Sequence, residues 1–180
     1  MRSLIPTAVI LFLAVTFLET NGFKFGDIIS FERSVNFVKY KHFAVYVGKG
    51  IKHGLPKTKT QDIFGHVKNC ISPKCLFSEL NYDEDPKVDN YLDGYTDPIT
   101  KVTFQRGTDE EIRQRILETS HKCKRYRLLS NNCEHLATYI RYGYGIAVQF
   151  NRTGERFCLN NPAINKRALV RHLKKQLRSD

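Results

Sequence analysis

The stretch "NNCEHLATYIRYG" (Asn131–Gly143) combines one cysteine with the features of a helix. Ser130, Asn131 or Asn132 can cap a helix that begins at Cys133, and Gly143 is typical of a helix end. Glu134 falls three residues after Asn131, as in a capping box. Apolar residues follow the cysteine at helical spacing: Leu136, Ala137 and Ile140. We therefore predict a helix that turns Cys133 toward the core.

Cys133 in the first turn of a helix is a candidate nucleophile. The positive end of the helix dipole and the unpaired N–H groups there favour the thiolate. The same region, with Asn131 and Asn132, could hold a developing oxyanion. Three other interpretations remain open: a metal ligand, half of a disulfide, or a small buried packing residue.

A thiolate nucleophile usually needs a base. His135 follows Cys133 by two helical positions, about 200° around the axis, so its ring should point away from the sulfur. His42, on a predicted strand, is the better candidate, and His53 could orient it as a third member. The sequence contains no Cys-x-x-Cys or His-x-x-x-His pair, so we predict no metal site.

The order of predicted elements indicates an α+β fold. "FGDIISFERS" (Phe25–Ser34) alternates like a strand, and His42–Leu55 is typical of a hairpin that turns at Gly48–Gly50. Residues 56–100 show little periodicity and should form loops and short strands. Thr108–Cys123 is typical of a capped helix. We expect an antiparallel sheet packed against helices.

The N-terminal residues 1–22 have the layout of a secretory signal peptide. Arg2 precedes an apolar run, Leu4–Leu18, that is shorter than the roughly 20 residues needed to span a bilayer. We predict a secreted protein or one of the secretory-pathway lumen. An uncleaved N-terminal anchor that keeps the protein on a membrane is the alternative.

The cysteine count agrees with secretion. If Cys133 stays reduced, four cysteines can form two disulfides: Cys70, Cys75, Cys123 and Cys158. The short loop "CISPKC" favours Cys70–Cys75, and hence Cys123–Cys158. Five unpaired thiols in a reducing cell are the alternative. Asn151, in "NRT", is a candidate glycosylation site if the chain is secreted.

The net charge of +11 favours anionic partners. The charge does not choose among acidic lipid, nucleic acid and acidic glycan. No nucleic-acid recognition motif is present, so we predict no nucleic-acid partner. A membrane surface, possibly anionic, is the partner that we predict. The C-terminal tail is rich in basic residues that could contact such a surface: Lys166, Arg167, Arg171, Lys174, Lys175 and Arg178. Leu169, Leu173 and Leu177 lie on one side of a predicted helix. This stripe faces either a bilayer or the domain itself. The sequence does not predict an oligomeric state.

Four segments together resemble the lecithin–retinol acyltransferase family, which includes phospholipase A and acyltransferase enzymes. They are "FGDIISFERS", "YKHFAVYVGKGIKH", "KVDNYLDGYTDPI" and "NNCEHLATYIRYG". The resemblance covers roughly residues 25–148 and implies a circularly permuted papain-like thiol fold. It implies Cys133 as nucleophile, His42 as base and His53 as the second polar residue. The implied reaction moves an acyl group from a glycerophospholipid, through a Cys133 thioester, to water, an amine, a lysophospholipid or a retinol-like alcohol, without a cofactor.

Two departures from the family qualify this expectation. We expect a family domain over residues 23–148 and a basic tail over 149–180, where relatives often carry a hydrophobic anchor. His42 and His53 are also one residue closer than the family spacing, so the hairpin register decides whether His53 shares the His42 face. His53 shares the His42 face if it pairs with Tyr46, and it faces away if it pairs with Val45. A catalytically inactive, secreted binding module with the same fold is therefore the alternative function.

Overall fold

The computed structural model describes residues 22–67, 74–158 and 160–178. The predicted signal peptide, apart from its last residue, lies outside the described residues, and so does Cys70. The signal peptide therefore stays a prediction.

Five strands form one antiparallel sheet in the order β4-β3-β2-β1-β5. The strands are β1 (Ile28–Val35), β2 (Val38–Tyr46), β3 (Ile63–Val67), β4 (Lys74–Ser78) and β5 (Lys87–Val88). The α-helices of the described residues are α1 (Asp109–His121), α2 (Cys133–Tyr142) and α3 (Lys166–Gln176). Single 3₁₀ turns occur at Tyr82–Glu84 and Thr153–Arg156. The predicted α+β class, with an antiparallel sheet and helices, is confirmed. In the described part of the chain, every helix is too short or too polar to pass through a bilayer.

The two faces of the sheet carry two separate apolar clusters. Phe43 and Val45 of β2 lie in the main core with α1 and α2. Ala44, between them, points to the other face and packs with Ile29. The predicted inward residues of α2 all join the main core: Cys133, Leu136, Ala137 and Ile140.

Helix α2 is buried on nearly every side, which its apolar spacing did not indicate. Four polar residues of this helix are buried as well: Glu134, His135, Thr138 and Arg141. The Arg141 guanidinium donates to both Asp93 carboxylate oxygens, at 2.9 and 2.6 Å, and to the Gly26 carbonyl at 2.8 Å. Because such partners compensate for lost hydration, polar side chains can lie inside. Gly143 ends the helix with a φ of 81°, as predicted.

The predicted hairpin over His42–Leu55 is wrong in its second half. β2 pairs instead with β3, which begins at Ile63. Residues 47–62 form a long connection rather than a returning strand. The Lys57 ammonium organises this connection because it donates to three carbonyl oxygens, those of Gly48, Gly50 and Gln61, at 2.8, 2.6 and 2.7 Å.

The predicted disulfide pairing is also wrong. Cys75 of β4 is bonded to Cys123, just after α1, with 5.5 Å between their Cα atoms. This excludes both Cys70–Cys75 and Cys123–Cys158, and Cys158 is buried without a disulfide. β4 lies against the end of α1, so the bonded cysteines are spatial neighbours separated by 48 residues in sequence.

The leucine stripe of α3 faces the domain and not a bilayer. Leu169 and Leu173 are buried in the main core, whereas Leu177 is exposed. The helix and the core therefore form one unit. Most of the predicted membrane-contact side chains remain exposed: Arg167, Arg171, Lys174, Lys175 and Arg178. Lys166 is half-buried and donates to the Cys158 carbonyl at 3.0 Å.

The turn between β1 and β2 places a phenylalanine in an unfavourable backbone conformation. Val35 pairs with Val38, so Asn36 and Phe37 form a two-residue turn. Both have positive φ, 45° and 67°. Asparagine tolerates this region, but a bulky residue rarely adopts it. The Phe37 side chain is also fully exposed, so no packing offsets the cost.

We expect Phe37→Gly to raise the free energy of unfolding by about 1 kcal/mol, because glycine adopts positive φ without the Cβ clash. Urea denaturation would measure the change. Val38→Gly is the matched control: this strand residue should lose stability. A Phe37→Gly variant no more stable than the parent would contradict the proposed backbone strain.

Candidate active site

Cys133 lies where the start of α2 meets strand β2. Its side chain is buried, with 4% of the residue exposed. Three backbone N–H groups lie against the sulfur, those of Cys133, Glu134 and Phe43. Two belong to the first turn of α2 and one to β2. This is a concentration of donors that favours negative charge on or beside the sulfur.

Burial nevertheless dominates the titration of this thiol. It raises the pKa of Cys133 to about 12, against the opposing effect of the N–H groups. The N–H groups at the helix start lower the pKa of the thiol, as expected, but burial outweighs them. In this environment the thiol is protonated at neutral pH, so nucleophilic attack requires a base.

The cap of α2 differs from the predicted one by a single residue. Asn132 Oδ1 accepts the N–H groups of Glu134 and His135 at 3.0 and 3.2 Å. The box is closed by the Asn132 N–H, which donates to His135 Nδ1 at 3.3 Å. The predicted box between Asn131 and Glu134 is wrong. The Asn131 amide instead donates to the carbonyl oxygens of Lys124 and Arg125.

Glu134 is a buried carboxylate with four hydrogen-bond donors. Its Oε1 accepts from the Tyr91 hydroxyl at 2.8 Å and the Val148 N–H at 2.9 Å. Its Oε2 accepts the backbone N–H and the side-chain amide of Gln149, both at 3.0 Å. Burial raises the pKa of Glu134, while the donors favour its charged form.

Gln149 extends this network to strand β2. Its side chain accepts the Lys41 N–H at 3.0 Å and donates to the Lys41 carbonyl at 3.1 Å. Lys41 immediately precedes His42. Glu134 therefore links the start of α2, next to Cys133, to the strand segment that carries His42.

The structure brings Cys133 and the strand position of His42 together. His42 pairs with Phe31 of β1, and their ring centroids are 5.9 Å apart. The next residue, Phe43, supplies the N–H that lies against the Cys133 sulfur. The backbone of the predicted base therefore adjoins the predicted nucleophile, whereas its ring lies against Phe31, which belongs to the apolar cluster on the other face of the sheet.

His53 lies elsewhere. Its ring stacks on Phe25 with centroids 3.7 Å apart, and its carbonyl accepts from Arg113 at 2.8 Å. Phe25 precedes Gly26, whose N–H bonds to Tyr46 at the end of β2. That end is four residues from His42, roughly 13 Å along a strand. Neither of the two predicted registers occurs, because the β2 partner is β3.

Tyr126 is a site residue that the sequence analysis missed. Burial raises the pKa of the Tyr126 hydroxyl, and so does the Cys133 sulfur close to it. Its ring meets the His66 ring edge-on, with centroids 5.3 Å apart. It lies in the irregular segment between α1 and α2, and no local pattern marks such a tyrosine as functional.

His66 lies beside the disulfide. Its Nδ1 is 3.7 Å from Cys75 Sγ and 3.8 Å from Cys123 Sγ. Burial lowers the pKa of His66 to about 4, so the ring is neutral at neutral pH. Within the described ranges, these three side chains are the group with the spacing of metal ligands. Their two sulfurs are bonded to each other here, and thiolate ligands would require reduction of that bond.

A cavity of about 490 Å³ adjoins His66 and the start of α2. Its lining includes Cys75, Asn131, His135 and Leu136. This volume is within the range of pockets for small ligands.

A known protein family matches most of the chain. A family model described as "Lecithin retinol acyltransferase" matches residues 21–146. The chain belongs to the lecithin retinol acyltransferase family. The resemblance predicted from its sequence motifs is confirmed.

Named relatives of this family member share less than a third of its residues. The rat "Phospholipase A and acyltransferase 1" is 29% identical over 133 residues, covering 71% of this chain and 72% of the relative. The mouse "Lecithin retinol acyltransferase" is 28% identical over 148 residues, covering 73% of this chain and 59% of the relative. The human "Phospholipase A and acyltransferase 3" is 29% identical over 125 residues, covering 66% of this chain and 70% of the relative. No solved structure matches this family member.

We expect Glu134→Gln to lower the free energy of unfolding by about 2–4 kcal/mol. The amide would turn one acceptor oxygen into a donor, which would then face two buried donors. Thermal or urea denaturation would measure the loss. The matched control is Glu110→Gln, an exposed carboxylate on α1, which should change stability by about 0.5 kcal/mol or less. Equal effects at both positions would contradict the four-donor assignment.

Proposed function

We propose that this chain is a thiol-dependent acyltransferase or phospholipase A that acts on glycerophospholipids through an acyl-Cys133 thioester. The observation that carries the proposal is the convergence of three backbone N–H groups on the Cys133 sulfur. Membership in this family supports it, because relatives are named phospholipase A and acyltransferase and lecithin retinol acyltransferase. The framework we propose is a circularly permuted papain-like thiol fold.

The first step is attack by Cys133. Because burial holds this thiol in its protonated form, His42 removes the proton as the sulfur approaches the ester carbonyl carbon. The S–C bond forms, and the carbonyl electron pair moves onto oxygen. The Tyr126 hydroxyl, close to the thiol, holds the sulfur in position before attack.

Backbone N–H groups are the oxyanion donors in this mechanism. The amides of Asn131 and Asn132, our predicted candidates, already donate to carbonyl oxygens, those of Lys124, Arg125 and Leu128. The N–H groups of Cys133 and Phe43 lie beside the sulfur, and the oxyanion forms on the carbon that bonds to this sulfur. They can therefore donate hydrogen bonds to the oxyanion. When the tetrahedral intermediate collapses, the lysophospholipid oxygen leaves with the proton held by His42.

The second step transfers the acyl group. Water, an amine, a lysophospholipid or a retinol-like alcohol attacks the thioester carbonyl while His42 accepts its proton. The C–S bond then breaks, and the sulfur recovers that proton from His42. Together the two reaction steps conserve atoms and protons, and they need no redox partner or cofactor.

Two observations favour a second candidate, a catalytically inactive binding module. The Cys133 sulfur is buried with a raised pKa, and His53 lies by Phe25 instead of beside His42. A module of this kind would bind lipid without forming a thioester.

The compartment is part of the proposal. We propose that the protein is secreted or lies in the lumen of the secretory pathway, on the basis of residues 1–22. Asn151 is exposed, as a glycosylated asparagine must be. We propose the surface of a phospholipid membrane as the place of action.

Incubation with mixed phospholipid vesicles should add the mass of one fatty acyl group to the protein, at Cys133, as measured by intact-mass and peptide spectrometry. Cys133→Ser should remove the thioester adduct and the release of fatty acid. The control is Cys158→Ser, which deletes the other buried thiol without a disulfide and should keep both. An adduct that survives Cys133→Ser, or none on the parent chain, would refute the mechanism.

His42→Gln should lower the rate of fatty-acid release by about 10²–10⁴-fold, the usual contribution of a general base. His53→Gln is the matched control and should change the rate by less than about threefold, because its ring lies beside Phe25. Rates on phosphatidylcholine vesicles would measure both. A larger loss at His53 than at His42 would reverse the assignment of the base.

A further inference from the structure

Three segments that lead to the start of α2 or to the neighbouring strand β2 carry exposed apolar side chains. Among the described residues, eleven large hydrophobic side chains are exposed. One of them, Tyr126, lies close to Cys133. Five others lie on three segments, the tip of the β1–β2 hairpin, the turn before α2 and the end of the segment after Gln149, and we call them the apolar rim: Phe37, Val38, Leu128, Leu129 and Phe157. Scattered single residues of this kind are normal, but several on neighbouring segments indicate a contact surface.

The β1–β2 hairpin supplies the first segment of the rim. Its tip residue, Phe37, is 104% exposed and has a φ of 67°. Strain of this type persists where a local conformation serves a contact. The strand that follows leads from Val38 through Tyr40, whose side chain interacts with that of Tyr126, to His42.

The turn before α2 supplies the second segment. Leu128 and Leu129 are 69% and 42% exposed. The Leu128 carbonyl accepts from the Asn132 side chain at 2.8 Å, which fixes the turn to the residue next to Cys133. These leucines therefore point to solvent from a turn that is anchored at the site.

The third segment follows Gln149. Arg152 is ion-paired with Glu32 of β1, so this segment runs along the hairpin. Cys158 lies 3.8 Å from the Asn132 side-chain nitrogen, which brings the segment back to the start of α2. The residue before it, Phe157, is 60% exposed.

Basic side chains accompany the rim on the same three segments. Five of them are exposed: Lys39, Lys124, Arg125, Arg127 and Arg156. The acids of these segments are fewer, and Glu32 and Glu155 are engaged, by Arg152 and by the Asn151 N–H. Apolar side chains framed by cations match an anionic bilayer, whose headgroups meet the cations while the apolar side chains enter the acyl boundary.

We propose that the apolar rim is the docking surface through which this chain sits on an anionic phospholipid bilayer, with Cys133 facing the lipid. The choice of a lipid partner rests on the proposed function. This surface is distinct from the basic α3 helix, whose apolar stripe is buried in the core. Docking at the rim would place an ester carbonyl beside the nucleophile without removing the whole lipid from the membrane.

The chain lacks tryptophan, so single-tryptophan variants report on one position each. We would prepare Phe37→Trp, Leu128→Trp and Phe157→Trp in the full chain. The matched control is Ile51→Trp, an exposed apolar position beyond the Tyr46 end of β2, opposite the hairpin tip. The N-terminal apolar segment is common to all four variants. Vesicles of phosphatidylcholine with phosphatidylserine should shift the tryptophan emission of the three rim variants to shorter wavelength. Brominated lipid should quench this emission. The control should not respond.

A loss-of-binding test complements the reporters. The double variant Phe37→Asp, Leu128→Asp should lower the vesicle partition coefficient by about tenfold or more, because two apolar side chains are replaced by anions that an anionic bilayer repels. Ile51→Asp should leave partition unchanged. Added salt should weaken docking of the parent chain, since the cations contribute.

The outcomes separate docking from catalysis. Docking is supported if the rim reporters respond to vesicles in a Cys133→Ser background, even where no fatty acid is released by any variant. It is overturned if the rim and Ile51 reporters respond alike, or if rim emission shifts with protein concentration in the absence of lipid, which would mark a contact between copies. Fatty-acid release with silent rim reporters would retain the proposed function and remove the docking surface.

Discussion

The buried carboxylate of Glu134 is the constraint on which the proposed site depends. It draws four donors into the interior, from Tyr91, Val148 and Gln149, and so fixes the segment that follows α2 against the helix start. Gln149 then pairs with the backbone of Lys41. Through these contacts one ionisable group aligns Cys133 with the strand of His42, two residues that are distant in sequence. A carboxylate with every acceptor position filled is costly to replace, because any neutral substitute leaves buried donors without partners.

The same burial sets the chemistry of the sulfur. A helix start favours a thiolate, but removal from water disfavours it more strongly, and the pKa of Cys133 rises accordingly. In the proposed mechanism, the protonated thiol reacts only when a base and a substrate carbonyl are both in place. The Tyr126 hydroxyl lies close to the thiol. In the same mechanism, the N–H groups near the sulfur stabilise the oxyanion rather than the resting thiol.

Exposed apolar and basic side chains lie on segments that lead to the start of α2 or to strand β2. Each of these three segments exposes both kinds of side chain. The C-terminal helix uses its leucines for the core, so its basic face alone remains outside. The Cys75–Cys123 disulfide joins β4 to the segment that leads to Tyr126, which restrains the turn over Cys133.

Local patterns in the sequence were sufficient for the elements: the strand of Ile28–Val35, the Thr108 cap of α1 and the helix from Cys133 to Gly143 follow from periodicity and end residues. Motif resemblance was sufficient for the family and for Cys133 and His42 as candidates. Contacts between distant segments could not be predicted from the sequence. No local signal encodes which strand pairs with β2, which cysteines form the disulfide or which tyrosine lies close to the Cys133 sulfur. Lys57 holds residues 47–62 as a connection, His53 within it stacks on Phe25, and the end of α1 brings Cys123 to Cys75. Buried Glu134 and Arg141 look like surface residues in sequence, and only their tertiary partners explain why they lie inside.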